Sequence, residues 1–306
     1  MPVALTSIRD LLKPGLYAVE GKYDMIESQW SKVFTTRKST MAVERKVQNA
    51  FLGLAQYKSE GGQTAADNNA GERWVYNAES FEVGLMYAIT RKAIDDNLYK
   101  TEFNPTNLQL LDSFNQFKEI QSAAIFNNGT TYDSTIGGDG KALFATDHPV
   151  DGATVANTFS TALSLNESSL LQAMTNIRAN FVNERNLKIY ARGRKLLVPV
   201  RLEPTAIRLT KTELRPGTAN NDVNAILSTA GGIPDGYMVW DYLTSDYAWF
   251  LTTNYAKDAL LMMKRIAFET DMQVDFTTDN LLVKGYERYV PTYNDWRAAY
   301  GSFPSN

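Results

Sequence analysis

The chain has 306 residues, 44% of them hydrophobic and 21% charged, an ordinary balance for a folded protein with a sizeable core. Its net charge of −3 argues against a dedicated nucleic-acid binder, which would carry a basic footprint. With no cysteine and a single histidine, His148, the chain excludes disulfides, thiolate sites, cysteine nucleophiles and multi-histidine metal sites.

No apolar run approaches the roughly 18 residues that a membrane-spanning helix needs. Residues 1–18 lack a continuous apolar stretch ahead of a small-residue cleavage site, so no secretory signal is expected. Residues 1–38 read as an arm. A helical turn or two is expected at 7–12, broken by Pro14-Gly15, and aromatics such as Tyr23 and Trp30 follow among charges without a clean period. Such a segment is either a loosely packed terminus or an extension that docks on a neighbour.

Two extended flanks, 55–58 and 73–76, enclose an insert at 59–71 that holds Gly61-Gly62, Asp67 and Gly71 and almost no apolar side chain. That composition reads as a long exposed hairpin tip, and a loop of this length is usually functional or disordered. Residues 81–89 alternate partly like a strand, and Thr90 can cap a short helix over 91–94. The clearest helix is 106–127, with Asn104 as its cap and Pro105 at its first position. Leu108, Leu111, Phe114, Phe117, Ile120, Ala124 and Ile125 recur at three- and four-residue steps, with Asp112, Asn115, Lys118 and Glu119 expected on the other side. Its length is roughly 33 Å.

A loop region rich in Gly, Asp and Thr covers 130–158. A second amphipathic helix is expected over 167–182, capped by Asn166, and a third where Pro204 follows Glu203. Residues 196–200, 237–239 and 248–251 read as strands, and 215–217 and 231–236 as loops. Residues 260–268 and then 272–276, followed by a turn at 277–280 and by 281–289, read as long strands joined by that turn. Strands and helices do not alternate regularly and no repeat appears, so the class is α+β.

The search for chemistry returns little. No phosphate-binding glycine loop and no nucleophile elbow is present; Gly137-Gly138-Asp139-Gly140-Lys141 lacks both the spacing and the Ser/Thr, and reads as a flexible loop. Asp139, Asp147 and His148 stand close in sequence, but one imidazole beside Pro149 reads as a structural hydrogen bond more readily than a metal site. Asp95-Asp96 are adjacent on a helix and point apart. The basic run Arg192-Gly193-Arg194-Lys195 reads as a solvated face, or as a partner for phosphates or a neighbour's carboxylates. No catalytic, cofactor or metal residue is assigned. A chain of this size without such a site works by its surfaces.

The motif 87–99, the long helix, the motif 138–149, the strand 196–199, Tyr247-Ala248-Trp249-Phe250-Leu251 and Asp295-Trp296-Arg297 stand in an order that resembles the major capsid proteins of tailed bacteriophages, including Mu-like major head subunits. The resemblance covers about 41–302. It implies the Hong Kong 97 capsid fold, with an N-terminal arm at 1–38 and an extended E-loop at 48–81. A peripheral domain would comprise 82–161 and 255–306 with the spine helix 106–127, and an axial domain 162–254. It further implies a virion shell protein that assembles in the host cytoplasm as hexamers and pentamers around double-stranded DNA, which it meets by proximity. Possible partners are a separate scaffolding protein, a portal and cement proteins, and no membrane. Subunit contacts are expected at Tyr57, Lys58, Glu60, Asp67, Glu72, Arg73 and Trp74 in the loop and at Tyr23 and Trp30 in the arm. The alternatives are an encapsulin-like compartment shell and a soluble hydrolase or binding module using Asp139, Asp147 and His148.

Overall fold

The computed structural model describes residues 23, 27–67, 71–96, 99–213, 224, 226, 227 and 232–305, with the side chains of 95 and 99–104 outside that description. The turn expected at 7–12, its break at Pro14-Gly15 and the loop at 215–217 lie outside the described residues.

A single 3-10 turn, Trp30–Lys32, leads into β1 (Thr35–Lys38), β2 (Val43–Asn49), β3 (Glu72–Glu79) and β4 (Phe81–Ile89). Two helices follow, α1 (Arg91–Asp95) and α2 (Tyr99–Asn127), then the short strands β5 (His148–Val150) and β6 (Ala153–Val155). Next come α3 (Glu167–Asn180), β7 (Gly193–Val198), α4 (Glu203–Lys211), β8 (Tyr237–Val239) and β9 (Trp249–Thr253). The chain closes with α5 (Ala256–Ala259), β10 (Leu260–Val274), β11 (Leu281–Tyr293) and β12 (Ala299–Ser302). The result is α+β, as expected.

Several local signals act as read. Thr90 Oγ1 accepts from the Ala93 amide at the start of α1. Asn166 caps α3 in a reciprocal capping box with Ser169. Pro204 stands at the start of α4, where a missing N–H costs nothing.

Helix α2 differs from expectation. It spans 29 residues, about 43 Å, and Pro105 lies inside it instead of at its start. Its faces differ too. Leu111 and Phe114 are buried, but so are Lys118, Glu119 and Ser122, while Leu108, Phe117 and Ile120 are exposed. Lys118 and Glu119 sit inside because Tyr23, Gln29, Trp30, Trp240 and Glu287 supply their partners, and Ser122 donates to the Lys118 carbonyl of its own helix.

Four strands form one sheet in the order β1-β10-β11-β4, antiparallel except for the parallel pair β1–β10. Residues 27–38, expected as part of a free arm, are thus built into the subunit: Trp30, Val33 and Phe34 enter the main core. Helix α2 lies across this sheet at Gly285. A Cβ there would stand 2.9 Å from the rings of both Phe114 and Phe268, so only glycine lets helix and sheet approach this closely.

The second sheet runs β12-β9-β7-β8. Its central strands are buried on both faces: Leu197 and Phe250 join the first core, while Leu196, Val198, Trp249 and Leu251 join a second core with α3 and α4. That double burial explains the unbroken apolar runs at 196–198 and 248–251. It also makes the two hydrophobic cores share one wall.

Gly285→Val should wedge α2 from the sheet and cost about 1–3 kcal/mol. Urea unfolding of the dissociated subunit reads this as a lower midpoint; an unchanged midpoint contradicts the packing described.

Candidate assembly interface

Strands β2 and β3 form a separate antiparallel ribbon, paired from Val43↔Glu79 to Asn49↔Glu72. The flank expected at 55–58 is not part of it. Beyond the ribbon the last backbone link is Ala50 N–H to the Gly71 carbonyl at 2.7 Å. The polypeptide then runs out as a loop whose apolar side chains, Phe51, Leu52, Leu54 and Tyr57, find no cover on their own subunit; Leu54 is 78% and Tyr57 98% exposed.

The nine expected contact residues divide into three groups. Tyr57, Lys58 and Glu60 stand exposed near the loop tip, and Glu72 is exposed at the start of β3. Asp67, Arg73 and Trp74 turn toward their own subunit: Asp67 pairs with Arg185, Arg73 covers the Trp74 ring at 5.1 Å, and Trp74 packs against the main core. Tyr23 and Trp30 are buried within the subunit, which corrects their reading as surface contacts. Tyr23 donates to Glu287, beside a Lys118–Glu287 ion pair of 2.6 Å. Glu119 accepts the amides of Gln29 and Trp30 and the indole N–H of Trp240. Burial pushes the pKa of the Glu119 and Glu287 carboxyls up from the ordinary value, against the opposing pull of these donors and of Lys118. These bonds lock the segment after the arm onto the long helix.

The root of the loop is anchored by Glu184, a fully buried carboxylate in the turn after α3. It accepts from Gln48 Nε2 at 2.7 Å and pairs with Arg297 at 2.8 Å and Arg73 at 3.5 Å. On the other side, the 137–149 loop closes over β3. Gly138 N–H donates to the Val75 carbonyl at 2.9 Å, and Ile136 accepts from Asn77 N–H at 2.7 Å. Gly138 has φ +91°, and a Cβ would reach within 2.4 Å of the Tyr76 ring. The glycines read as a flexible loop are therefore a lid fitted to an aromatic ring, whose burial pushes the Tyr76 phenol well up.

His148 is fully buried and stacks on Trp296, with ring centroids 4.4 Å apart at 7°. Both ring nitrogens meet oxygen acceptors, Asp139 Oδ2 at 2.6 Å and Asn157 Oδ1 at 3.1 Å. Asp147 is elsewhere, paired with Lys141. The three residues therefore do not converge, and both ring nitrogens of His148 are engaged inside the chain. Among the described residues, no group of three His, Asp or Glu side chains stands close enough to hold a metal ion. The basic run is engaged within the chain: Arg194 makes two 2.9 Å bonds to Asp235, and Lys195 donates to the Lys32 carbonyl.

A long helix across a four-stranded sheet, a second sheet with its own helices and a projecting β-ribbon define a shell-forming subunit of the Hong Kong 97 type. The family model described as phage capsid protein matches residues 79–302, and the chain belongs to that family. It is a major capsid protein, a structural component of the virion. Solved shells have the same fold. The procapsid of bacteriophage JBD30 aligns with TM-score 0.53 at 14% identity, covering 99% of this chain and 76% of that one. The capsid of a native GTA particle gives 0.55 at 12%, covering 90% and 89%. A virus-like particle from Pyrococcus furiosus gives 0.53 at 8%, covering 95% and 98%. No curated protein sequence matches the chain. No helix among the described residues is long and apolar enough to cross a membrane.

Removing one partner from the Glu184–Arg297 pair should leave an uncompensated buried charge. Arg297→Ala is expected to cost about 3–5 kcal/mol. Denaturant unfolding of the dissociated subunit measures this, and a loss below about 1 kcal/mol would show the pair to be dispensable.

Proposed function

We propose that the chain builds an icosahedral shell of hexamers and pentamers around double-stranded DNA, with the loop at 50–71 as its principal handle on neighbouring subunits. The observation that supports this most is the exposed apolar strip Phe51, Leu52, Leu54 and Tyr57 on a loop whose root is rigidly held. Many weak, repeated contacts of this kind gain strength from the effective concentration that each preceding contact creates. The residues expected as contacts keep that role in the loop: Tyr57, Lys58 and Glu60 at the tip, flanked by Glu72.

The peripheral portion, 82–161 and 255–306, then carries the loop, and the axial portion, 162–254, gathers around the symmetry axes. The chain catalyses no reaction and assembles in the host cytoplasm, with a separate scaffolding protein, a portal and cement proteins as partners. A net charge of −3 suits a wall that DNA slides past, because gripping phosphates takes clustered Lys and Arg.

Purified protein, alone and with its candidate scaffold, should form closed shells or capsomer rings by negative-stain microscopy. Leu54→Ser/Tyr57→Ser should leave the subunit folded and lower the yield of shells at least about tenfold, since apolar contacts repeated around the shell are lost together. Persistent monomers of the native chain under all conditions would contradict the proposal, as would normal shell yield from the double variant. DNA inside native particles is the expected content; a protein cargo would favour the compartment reading.

A further inference from the structure

Where the β2–β3 ribbon ends, a single arginine takes over the work of the ladder. Past the Ala50–Gly71 link, the Asp67 carboxylate bridges the two limbs of the loop: its Oδ2 accepts from the Gly53 N–H at 2.6 Å. Asp67 Oδ1 accepts from Arg185 Nη2 at 2.9 Å. The same guanidinium donates through Nε to the Phe51 carbonyl at 3.0 Å, on the outgoing limb, and its Nη1 faces Asp151 at 3.4 Å in the turn between β5 and β6. One planar group therefore touches both limbs of the loop and the body of the subunit. Its side chain is only 13% exposed.

Arg185 is itself held from behind. Asn183 Oδ1 accepts the amides of both Arg185 and Leu187 at 2.9 Å, and Asn186 adopts φ +58° to close the turn. The preceding residue is Glu184, fixed by Arg297, Arg73 and Gln48. The arginine thus extends from a rigid turn, and its direction is set by the core. A fork of several N–H donors in one plane suits this three-way contact; a lysine ammonium on a flexible stem does not.

We propose that Arg185 is a positioning residue for assembly: it sets the pose in which the 50–71 loop is presented to a second copy of this chain. The inference rests on the reading that the loop docks on a neighbour. The apolar residues Leu52, Leu54 and Tyr57 lie between the two points that Arg185 secures, so the clamp orders the limbs and leaves the contact strip uncovered. Ordering the loop before docking lowers the entropy that docking must overcome. A second copy is the occupant because the family assembles into shells of repeated subunits and the clamp leaves the strip facing away from its own core.

Hydrogen exchange on the unassembled subunit tests the clamp directly. Arg185→Ala should speed exchange of amides in 51–67 about tenfold, leaving the two cores as protected as before. Asp67→Asn should do the same, and the double variant should add little to either, as expected of one shared interaction. Arg185→Lys should fall between. Under assembly conditions the Ala variant should give shells of mixed size or open sheets where the native chain gives uniform particles. Unchanged exchange in the Arg185→Ala loop would overturn the proposal.

Two outcomes separate this inference from the reading beneath it. If exchange rises in Arg185→Ala while Leu54→Ser/Tyr57→Ser still assembles normally, the clamp stands and the docking reading falls, and with it the role in assembly. If Tyr57→Cys crosslinks neighbouring subunits in native-like shells but Arg185→Ala leaves loop exchange unchanged, docking stands and the clamp is refuted.

Discussion

A buried ion pair between Glu184 and Arg297, 2.8 Å apart, holds together parts of this subunit that are distant in sequence. Neither charge tolerates burial alone, so each fixes the other and recruits further partners. Glu184 takes Gln48 and Arg73 from the two strands that launch the loop. Arg297 donates to the Val182 carbonyl and caps Trp296 from 4.3 Å, and Trp296 in turn carries the His148 stack and so the loop at 137–149. One junction thereby joins the loop root, the turn after α3, the glycine lid and the C-terminal strand.

Much of the architecture was legible because its causes are local. Asn166 with Ser169, Thr90 with Ala93, and Pro204 announce helix starts within four residues. The apolar runs at 196–198 and 248–251 announce strands buried on both faces, and the long strands β10 and β11 alternate enough to be seen. The order of these elements with the 138–149 motif carried the resemblance to phage capsid proteins.

What was not legible depends on partners distant in sequence. Lys118 and Glu119 look like the solvent side of α2, yet they are buried by Glu287, 169 residues from Lys118, and by the amides near Trp30. Tyr23 and Trp30 look like surface aromatics for the same reason, because nothing nearby shows that they close over that helix. Pro105 imitates a helix start, and the chain before it gives no stop signal that would reveal the longer helix. Arg185 meets Phe51 and Asp67 at separations of 134 and 118 residues, invisible to any local pattern. The apolar strip 51–54 escaped notice because it borders a polar insert, and its exposure is a property of the fold.

The division of labour in the subunit follows from these facts. Helix α2 packs on its sheet at Gly285; the double-faced second sheet joins the two cores; the junction at Glu184 holds the root of the loop. A reconstruction of assembled particles by electron cryomicroscopy tests this account most directly. It predicts continuous density for 50–71 crossing a subunit boundary, with Leu54 and Tyr57 buried on a neighbour and Arg185 still in contact with Asp67 of its own chain. A shell in which that loop lies wholly on its own subunit, with Tyr57 facing solvent, would contradict it.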